Sequence, residues 1–197
     1  MSTTTAPQPR LKTRFENDVI PKLGEIAGTT NRHALPKLDK IMISVGMGKQ
    51  LDGTKVKASY KDQVLKDIAL IAGQKPVLVK AKESVSNFKV REGYETGVMV
   101  TLRGVRAWEF YDRLMSLAIP RIKDFRGLKD RSFDGRGNYS FGLTEQGLFP
   151  EVDMANASAS FGMHITLVWK QSTDELSKAA MKELGWPFVK REKKKAA

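Results

Sequence analysis

The chain has 197 residues, with 34 Lys+Arg against 22 Asp+Glu, a formal net charge of +12, no cysteine and two histidines. The absence of cysteine excludes disulfides, thiolate zinc sites, Cys-ligated iron–sulfur clusters and thiol nucleophiles. The 41% hydrophobic content is too high for a disordered chain, and the longest clean apolar run, Ile68-Ala-Leu-Ile-Ala72, is far short of the ~18 residues that suggest a membrane span.

Residues 1–9 are rich in Thr, Pro and Gln and have no apolar core, so they read as a disordered leader and not as a secretory signal. From Leu11, apolar residues recur at Phe15, Val19, Leu23 and Ile26, a helical stripe that Pro21 is expected to kink or split. Lys40 to Val45 is rich in β-branched residues and reads as a strand ending in the turn Gly46-Met-Gly48. Residues 55–72 predict a helix with Val56, Tyr60, Val64, Ile68 and Ile71 on one face and Gly73 as its C-terminal cap. Pro76 to Val79 is a second strand, and the polar, basic residues 80–96 are either a long loop or an extended hairpin. Gly97 to Arg103 alternates strictly, with Val98, Val100 and Leu102 on one face and Met99, Thr101 and Arg103 on the other.

Residues 105–118 predict an amphipathic helix with Trp108, Tyr111, Leu114, Met115 and Ala118 along one side, stopped by Pro120. Residues 121–148, rich in Gly, Arg and aromatics, read as an ordered loop with short strands. Gly162 to Trp169 alternates again, setting Met163, Ile165, Leu167 and Trp169 against His164, Thr166 and Val168. Residues 173–184 predict a closing helix capped by Ser172 or Thr173, with Asp174 and Glu175 favourable in its first turn. Trp186-Pro-Phe188 follows it and is placed to pin the tail to the core. This order argues for an α+β fold, an antiparallel or mixed sheet with helices packed mainly on one face.

The charge is uneven. Residues 75–106 carry seven basic and three acidic residues, a net +4, and residues 121–136 carry a net +3. Residues 137–187 carry a net −3, and the last ten a net +4. A solvated face is the plainer reading of any single charge run, and the Lys-rich end reads as a tail. A total of +12 nevertheless makes a polyanion the leading partner, with an acidic membrane surface as the lesser alternative.

Enzymatic readings fare poorly. Gly46-Met-Gly-Lys-Gln50 follows a strand, but Gln50 stands where a phosphate loop needs a hydroxyl and Ile43 where it needs its first glycine. His33 and His164 lack metal-ligand spacing and read as structural, and Glu145, Glu151 and Asp153 read as loop acids. Nucleic-acid binding is better supported. Thr101 and Arg103 share one strand face, where a hydroxyl and a planar donor fork suit phosphate, base edge or 2′-OH. Lys80, Lys82, Lys89 and Arg91 are interleaved with Phe88 and Tyr94, and the segments around Phe125 and Phe133 to Tyr139 mix arginine with aromatics. Cations supply backbone affinity, and aromatics either stack on bases or anchor the loops.

Seven ordered motifs then carry a resemblance: Ser44-Val-Gly-Met-Gly48, Ala72-Gly-Gln-Lys-Pro76, Gly93-Tyr94, Val100-Thr-Leu-Arg-Gly104, Trp108-Glu-Phe-Tyr-Asp-Arg-Leu114, Pro120 through Leu128, and Ser132 through Ser140. Glu145-Gln146 and Phe149-Pro-Glu151 follow in order. Together, over about residues 10–190, they resemble the bacterial-type family of protein five of the large ribosomal subunit. The resemblance implies a single α+β domain over residues 10–190, between the leader and a basic tail at 191–197. It implies a structural, cytoplasmic ribosomal constituent without catalysis, cofactor or membrane partner.

That constituent is expected to bind 5S ribosomal RNA and dock it into the central protuberance, alongside large-subunit ribosomal RNA and other central-protuberance proteins. The residues implied for 5S RNA are Ser44, Gly46, Gly48, Gln74, Thr101 and Arg103. The loop with Lys80, Lys82, Ser84, Asn87 and Lys89 is implied to reach P-site transfer RNA. The loop with Arg126, Arg131 and Arg136 is implied to meet the small-subunit head at ribosomal protein thirteen. Three departures stand out: Ser44 replaces the family's usual Asn, shortening a base or phosphate contact; Glu83 weakens phosphate attraction; and Glu95 replaces a frequent Pro and is expected to loosen its hairpin. A free-standing RNA chaperone or assembly factor is the alternative function, and an RNA-processing enzyme lacks its constellation of acids or metal ligands.

Overall fold

The alternating segments pair with each other. In the computed structural model, which describes residues 8–52, 55–155 and 157–189, five strands form one sheet: β1 (Lys37–Gly46), β4 (Val77–Lys80), β5 (Glu95–Arg103), β6 (Tyr139–Leu143) and β7 (Met163–Lys170). Their order is β4-β5-β1-β7-β6, and every neighbouring pair is antiparallel. A short hairpin of β2 (Leu51–Asp52) and β3 (Lys55–Val56) stands apart from it. The predicted helix over 55–72 therefore begins later, as α3 (Ala58–Ala72), because Lys55 and Val56 are taken by β3. Gly73 caps α3 at φ 64°, its N–H bonded to the Ala69 carbonyl at 2.9 Å.

Pro21 and Pro120 each act through the turn before them. α1 (Arg10–Arg14) runs through a π-helical turn at Phe15–Val19 into α2 (Ile20–Ala27), with Pro21 in the first turn of α2. α4 (Val105–Arg113) likewise passes through a π-helical turn at Leu114–Ala118 into a 3₁₀ turn at Ile119–Arg121 that contains Pro120. Proline cannot donate an N–H and clashes with the carbonyl four residues back, and a widened turn moves that carbonyl aside. Pro21 thus modifies its helix without separating the halves, and Pro120 enters one further tight turn before the chain extends. α5 (Asp174–Glu183) closes the fold. Its cap is Thr173, whose Oγ1 accepts the Leu176 N–H at 3.4 Å.

One face of the sheet is buried under the helices. Ile41, Ile43, Val98, Val100, Leu102, Ile165 and Leu167 meet Phe15, Val19, Leu23, Val64, Ile68, Ile71, Leu114 and Met181 in a continuous core. Burying each such aliphatic side chain contributes about 1.5–3 kcal/mol relative to exposure. The α4 stripe read from the sequence omits Ala107 and Phe110, which are also buried. Phe110 stacks on Phe149, with ring centroids 5.9 Å apart, so α4 is covered on a second side by the chain after β6.

Candidate nucleic-acid interface

The other face of the sheet carries no helix. Because side chains alternate and the strands are in register, its residues form rows across the sheet. One row runs Arg103, Lys40, Val168; the next runs Thr101, Met42, Thr166, Ser140; a third runs Val77, Met99, Ser44, His164, Gly142. At about 4.8 Å between strands, five residues span roughly 19 Å. Thr101 and Arg103 do share this face, as their spacing predicts, and Arg103 is exposed.

The face is electropositive by construction. Lys40 and Arg103 sit directly opposite one another, a like-charge pairing that costs stability. Among the described residues no hydrogen bond or ion pair holds either side chain. The two carboxylates carried by the five strands are Asp39 and Glu95, and each is engaged by a lysine: Lys170 at 2.8 Å and Lys61 at 3.0 Å. The Lys170 hydrogen bond, with smaller help from the charges of Lys170, Arg103 and Lys40, holds the Asp39 carboxyl below its ordinary range.

Gln74 lies at the edge of this face, just past the Gly73 cap. Its Nε2 donates to the Thr101 carbonyl at 3.4 Å, and its Oε1 accepts from Arg106 at 3.2 Å. The structure therefore brings Gln74 to Thr101 and adds Arg106, which sequence reasoning did not single out. Gly46 ends β1 and Gly48 lies in the turn after it, and a Cβ on either would meet nothing within 4 Å. They leave the backbone open to a close approach. Between them Met47 is fully buried and anchors the turn, its N–H bonded to the Thr96 carbonyl at 3.0 Å.

Residues 80–96 form the extended hairpin. Beyond the β4–β5 ladder, Ala81 donates to Tyr94 at 2.8 Å, Gly93 to Ala81 at 3.0 Å, and Val85 to Val90 at 2.9 Å. Lys80, Lys82, Ser84, Asn87 and Lys89 are all exposed on it. Ser84 also has a structural part, its Oγ accepting the Glu92 N–H at 2.9 Å. Lys89 holds a left-handed φ of 52° after the 3₁₀ turn Ser86–Phe88. Phe88 at this tip is 73% exposed. Tyr94 is half-buried, with Lys55 Nζ 5.5 Å from its ring centre. Glu95 stands opposite Lys80 in the ladder, next to a register shift, and its carboxylate pairs with Lys61 at 3.0 Å.

In the loop after α4, Arg126, Arg131 and Arg136 are exposed and spread along the chain, with no partner holding their side chains among the described residues. The aromatics beneath them are anchors and not base platforms. Tyr139 is fully buried, its hydroxyl donating to the Lys129 carbonyl at 2.7 Å. Phe133 packs on it at 4.9 Å between centroids, and Trp186 and Phe188 meet it edge-on at 5.7 and 5.8 Å. Trp186 is buried and pins the segment after α5 to the core, as the sequence predicts, and the same segment also binds this loop: Leu128 donates to Pro187 at 2.8 Å and Val189 to Leu128 at 3.0 Å. Asp174 of α5 accepts the N–H groups of Gly135 at 3.1 Å and Gly137 at 2.7 Å. Within the loop, burial works against ionisation of Asp134. The Asn138 side chain and the N–H groups of Arg136 and Asn138 outweigh it, so the carboxyl titrates below its ordinary range.

On the β6–β7 half of the open face, Ser140, His164 and Thr166 went unnamed as site residues. The alternation of 163–169 places His164 and Thr166 on one side, but only the strand order shows that this side continues the Thr101 face. Glu151, considered above as a loop acid, pairs with Arg113 at 2.7 Å. Among the described residues no group of three His, Asp or Glu is arranged to hold a metal ion, and no helix is long and apolar enough to cross a membrane.

These features define a class: α+β proteins that back an antiparallel sheet with helices on one side and leave the other side open and bordered by cations. Within that class, residues 31–91 match the family model of ribosomal protein L5, and residues 95–188 match the model of that ribosomal family's C-terminus. The large ribosomal subunit protein uL5 of Leifsonia xyli subsp. xyli is 48% identical over 181 residues, covering 92% of this chain and 91% of that one. The proteins of the same name from Kocuria rhizophila and Carboxydothermus hydrogenoformans are 46% and 47% identical, covering 95% and 91% of this chain and 98% of each of theirs. The chain belongs to the ribosomal protein L5 family, whose members are structural components of the large ribosomal subunit and not enzymes.

Proposed function

We propose that this chain binds 5S ribosomal RNA through the open sheet face and anchors it, with large-subunit ribosomal RNA and neighbouring proteins, in the central protuberance. Residues 10–190 act as one RNA-binding domain in this reading, with residues 1–9 and 191–197 as extensions. The observation that carries it is the uncovered face itself: Gln74, Thr101, Arg103 and Lys40 lie together on it or at its edge, and the sheet's own carboxylates are neutralised by lysines. Ser44 and Gly46 lie on β1 with Lys40, and Gly48 lies in the turn that follows it. The hairpin bearing Lys80, Lys82, Ser84, Asn87 and Lys89 contacts P-site transfer RNA, and the loop bearing Arg126, Arg131 and Arg136 contacts the small-subunit head at protein thirteen. The hairpin's backbone rungs and the aromatic anchors of the arginine loop support both assignments, since a presented loop must hold its shape.

Arg103→Ala tests the central claim. It should lower 5S RNA affinity by about 1–3 kcal/mol, the scale of a good bidentate contact, in a filter-binding titration. An unchanged affinity would sink the assignment of this face.

A further inference from the structure

We propose that His164 is a base-stacking residue of this interface, presenting its imidazole ring to an unpaired base of the bound RNA. The inference rests on the sheet-face reading and extends it to a residue on the opposite half of the face. His164 is exposed on β7, and its register partner on β1 is Ser44, whose side chain is short. Its partner on the other side, on β6, is Gly142. A Cβ at Gly142 would lie 3.6 Å from the imidazole Nδ1 and 3.8 Å from Cε1, so the ring rests against the bare backbone of the edge strand. Its cross-strand neighbours are a short side chain and a glycine, and the surface of the ring turned away from β6 is exposed. No hydrogen bond or ion pair holds the ring among the described residues.

Its setting suits stacking. Among the described strand residues that face this side, His164 is the one with an aromatic ring. Met42 lies diagonally across on β1 and Met99 beyond Ser44 on β5, while the hydroxyls of Thr166 and Ser140 stand 3.0 Å apart in the adjacent row. Sequence-specific RNA recognition relies on bases splayed from loops and bulges and stacked on rings, imidazole included. Where Ser44 shortens the contact available from β1, the ring directly across the ladder supplies a broader one from β7. The RNA footprint then covers β7 and β6 as well as β1 and β5.

The test is filter binding of the full chain to 5S RNA and to a scrambled RNA, using His164→Ala, His164→Phe and Arg103→Ala. His164→Ala should weaken 5S binding about tenfold or more, the scale of losing one stacked base, and leave scrambled-RNA binding unchanged. His164→Phe keeps a ring and should stay within about threefold of the original chain. Both His164 variants should keep the original unfolding temperature, because the residue is exposed. If His164→Ala binds like the original chain while Arg103→Ala is weak, the sheet-face reading stands and the role of His164 falls. If Arg103→Ala binds like the original chain, the sheet-face reading itself falls, and the role of His164 that rests on it falls too. If His164→Phe is as weak as His164→Ala, the contact is not stacking and the proposal is overturned.

Discussion

Asp174 links the closing helix to the arginine loop, and Asp174→Ala should loosen that loop at a cost that can be worked out. Its carboxylate accepts from the buried N–H of Gly137 at 2.7 Å and the exposed N–H of Gly135 at 3.1 Å. A hydrogen bond to a charged acceptor contributes about 1.5–3 kcal/mol, and leaving a buried N–H unsatisfied forfeits that range. Water replaces the bond to the exposed Gly135, so it counts for less than about 1 kcal/mol. Removing a negative charge from the first helical turn adds about 0.3–1 kcal/mol. The total is about 2–5 kcal/mol, or a fall of roughly 5–12 °C in Tm for a chain of this size. Thermal and urea unfolding followed by circular dichroism would measure it. Asp174→Asn, which keeps one acceptor oxygen, should lose about half as much, and amide exchange at Gly137 should quicken in both variants. A loss below about 0.5 kcal/mol for Asp174→Ala would refute the view that this carboxylate holds the loop.

Three further outcomes are expected. Phe110→Ala should cost about 3–5 kcal/mol in urea unfolding, because Phe110 is fully buried against Phe149. The Asp112 carboxyl titrates below its ordinary range, chiefly through the hydrogen bond from Arg10 at 2.5 Å. Its stabilising effect is thus full above about pH 4 and is lost as pH falls through the lowered value, so the stability of Asp112→Asn should change less steeply below pH 4 than that of the original chain. Removing residues 191–197, which lie outside the described residues, should flatten the salt dependence of RNA binding and spare the preference for 5S RNA over a scrambled sequence. Lost discrimination would make that segment a reader.

The sheet was legible where alternation was strict. Val98, Val100 and Leu102 against Thr101 and Arg103 defined both a strand and its two faces, because a period of two has one structural meaning. The short β6 was less legible, since Gly142 interrupts an aromatic run and gives no pattern of its own. Register was not legible at all: nothing local in Met163 to Lys170 says that His164 will stand beside Ser44, because that depends on which distant strand β7 joins. The same limit hid the Lys40–Arg103 apposition. Phe110 escaped because a single stripe assumes one covering surface, whereas α4 has two. The aromatics of the arginine loop show the converse, as composition alone left Tyr139 open to either base stacking or anchoring, and its burial with Trp186 and Phe188 decides for anchoring.

The strand order also bears on how the molecule assembles in time. β1 is the middle strand, yet its two partners arrive late in the chain: Ile43 pairs with Val100 on one side and Ile165 on the other. During synthesis this apolar strand waits for its first partner until β5 is made and for its second until β7 is made. Closing such distant pairs spends chain entropy before burial returns it, which slows folding and favours one late, concerted step. Pulse-labelled hydrogen exchange during refolding should therefore give the Ile43 and Ile165 amides a common protection time. The open face, completed by that step, becomes competent for a ligand only once nearly the whole chain is in place.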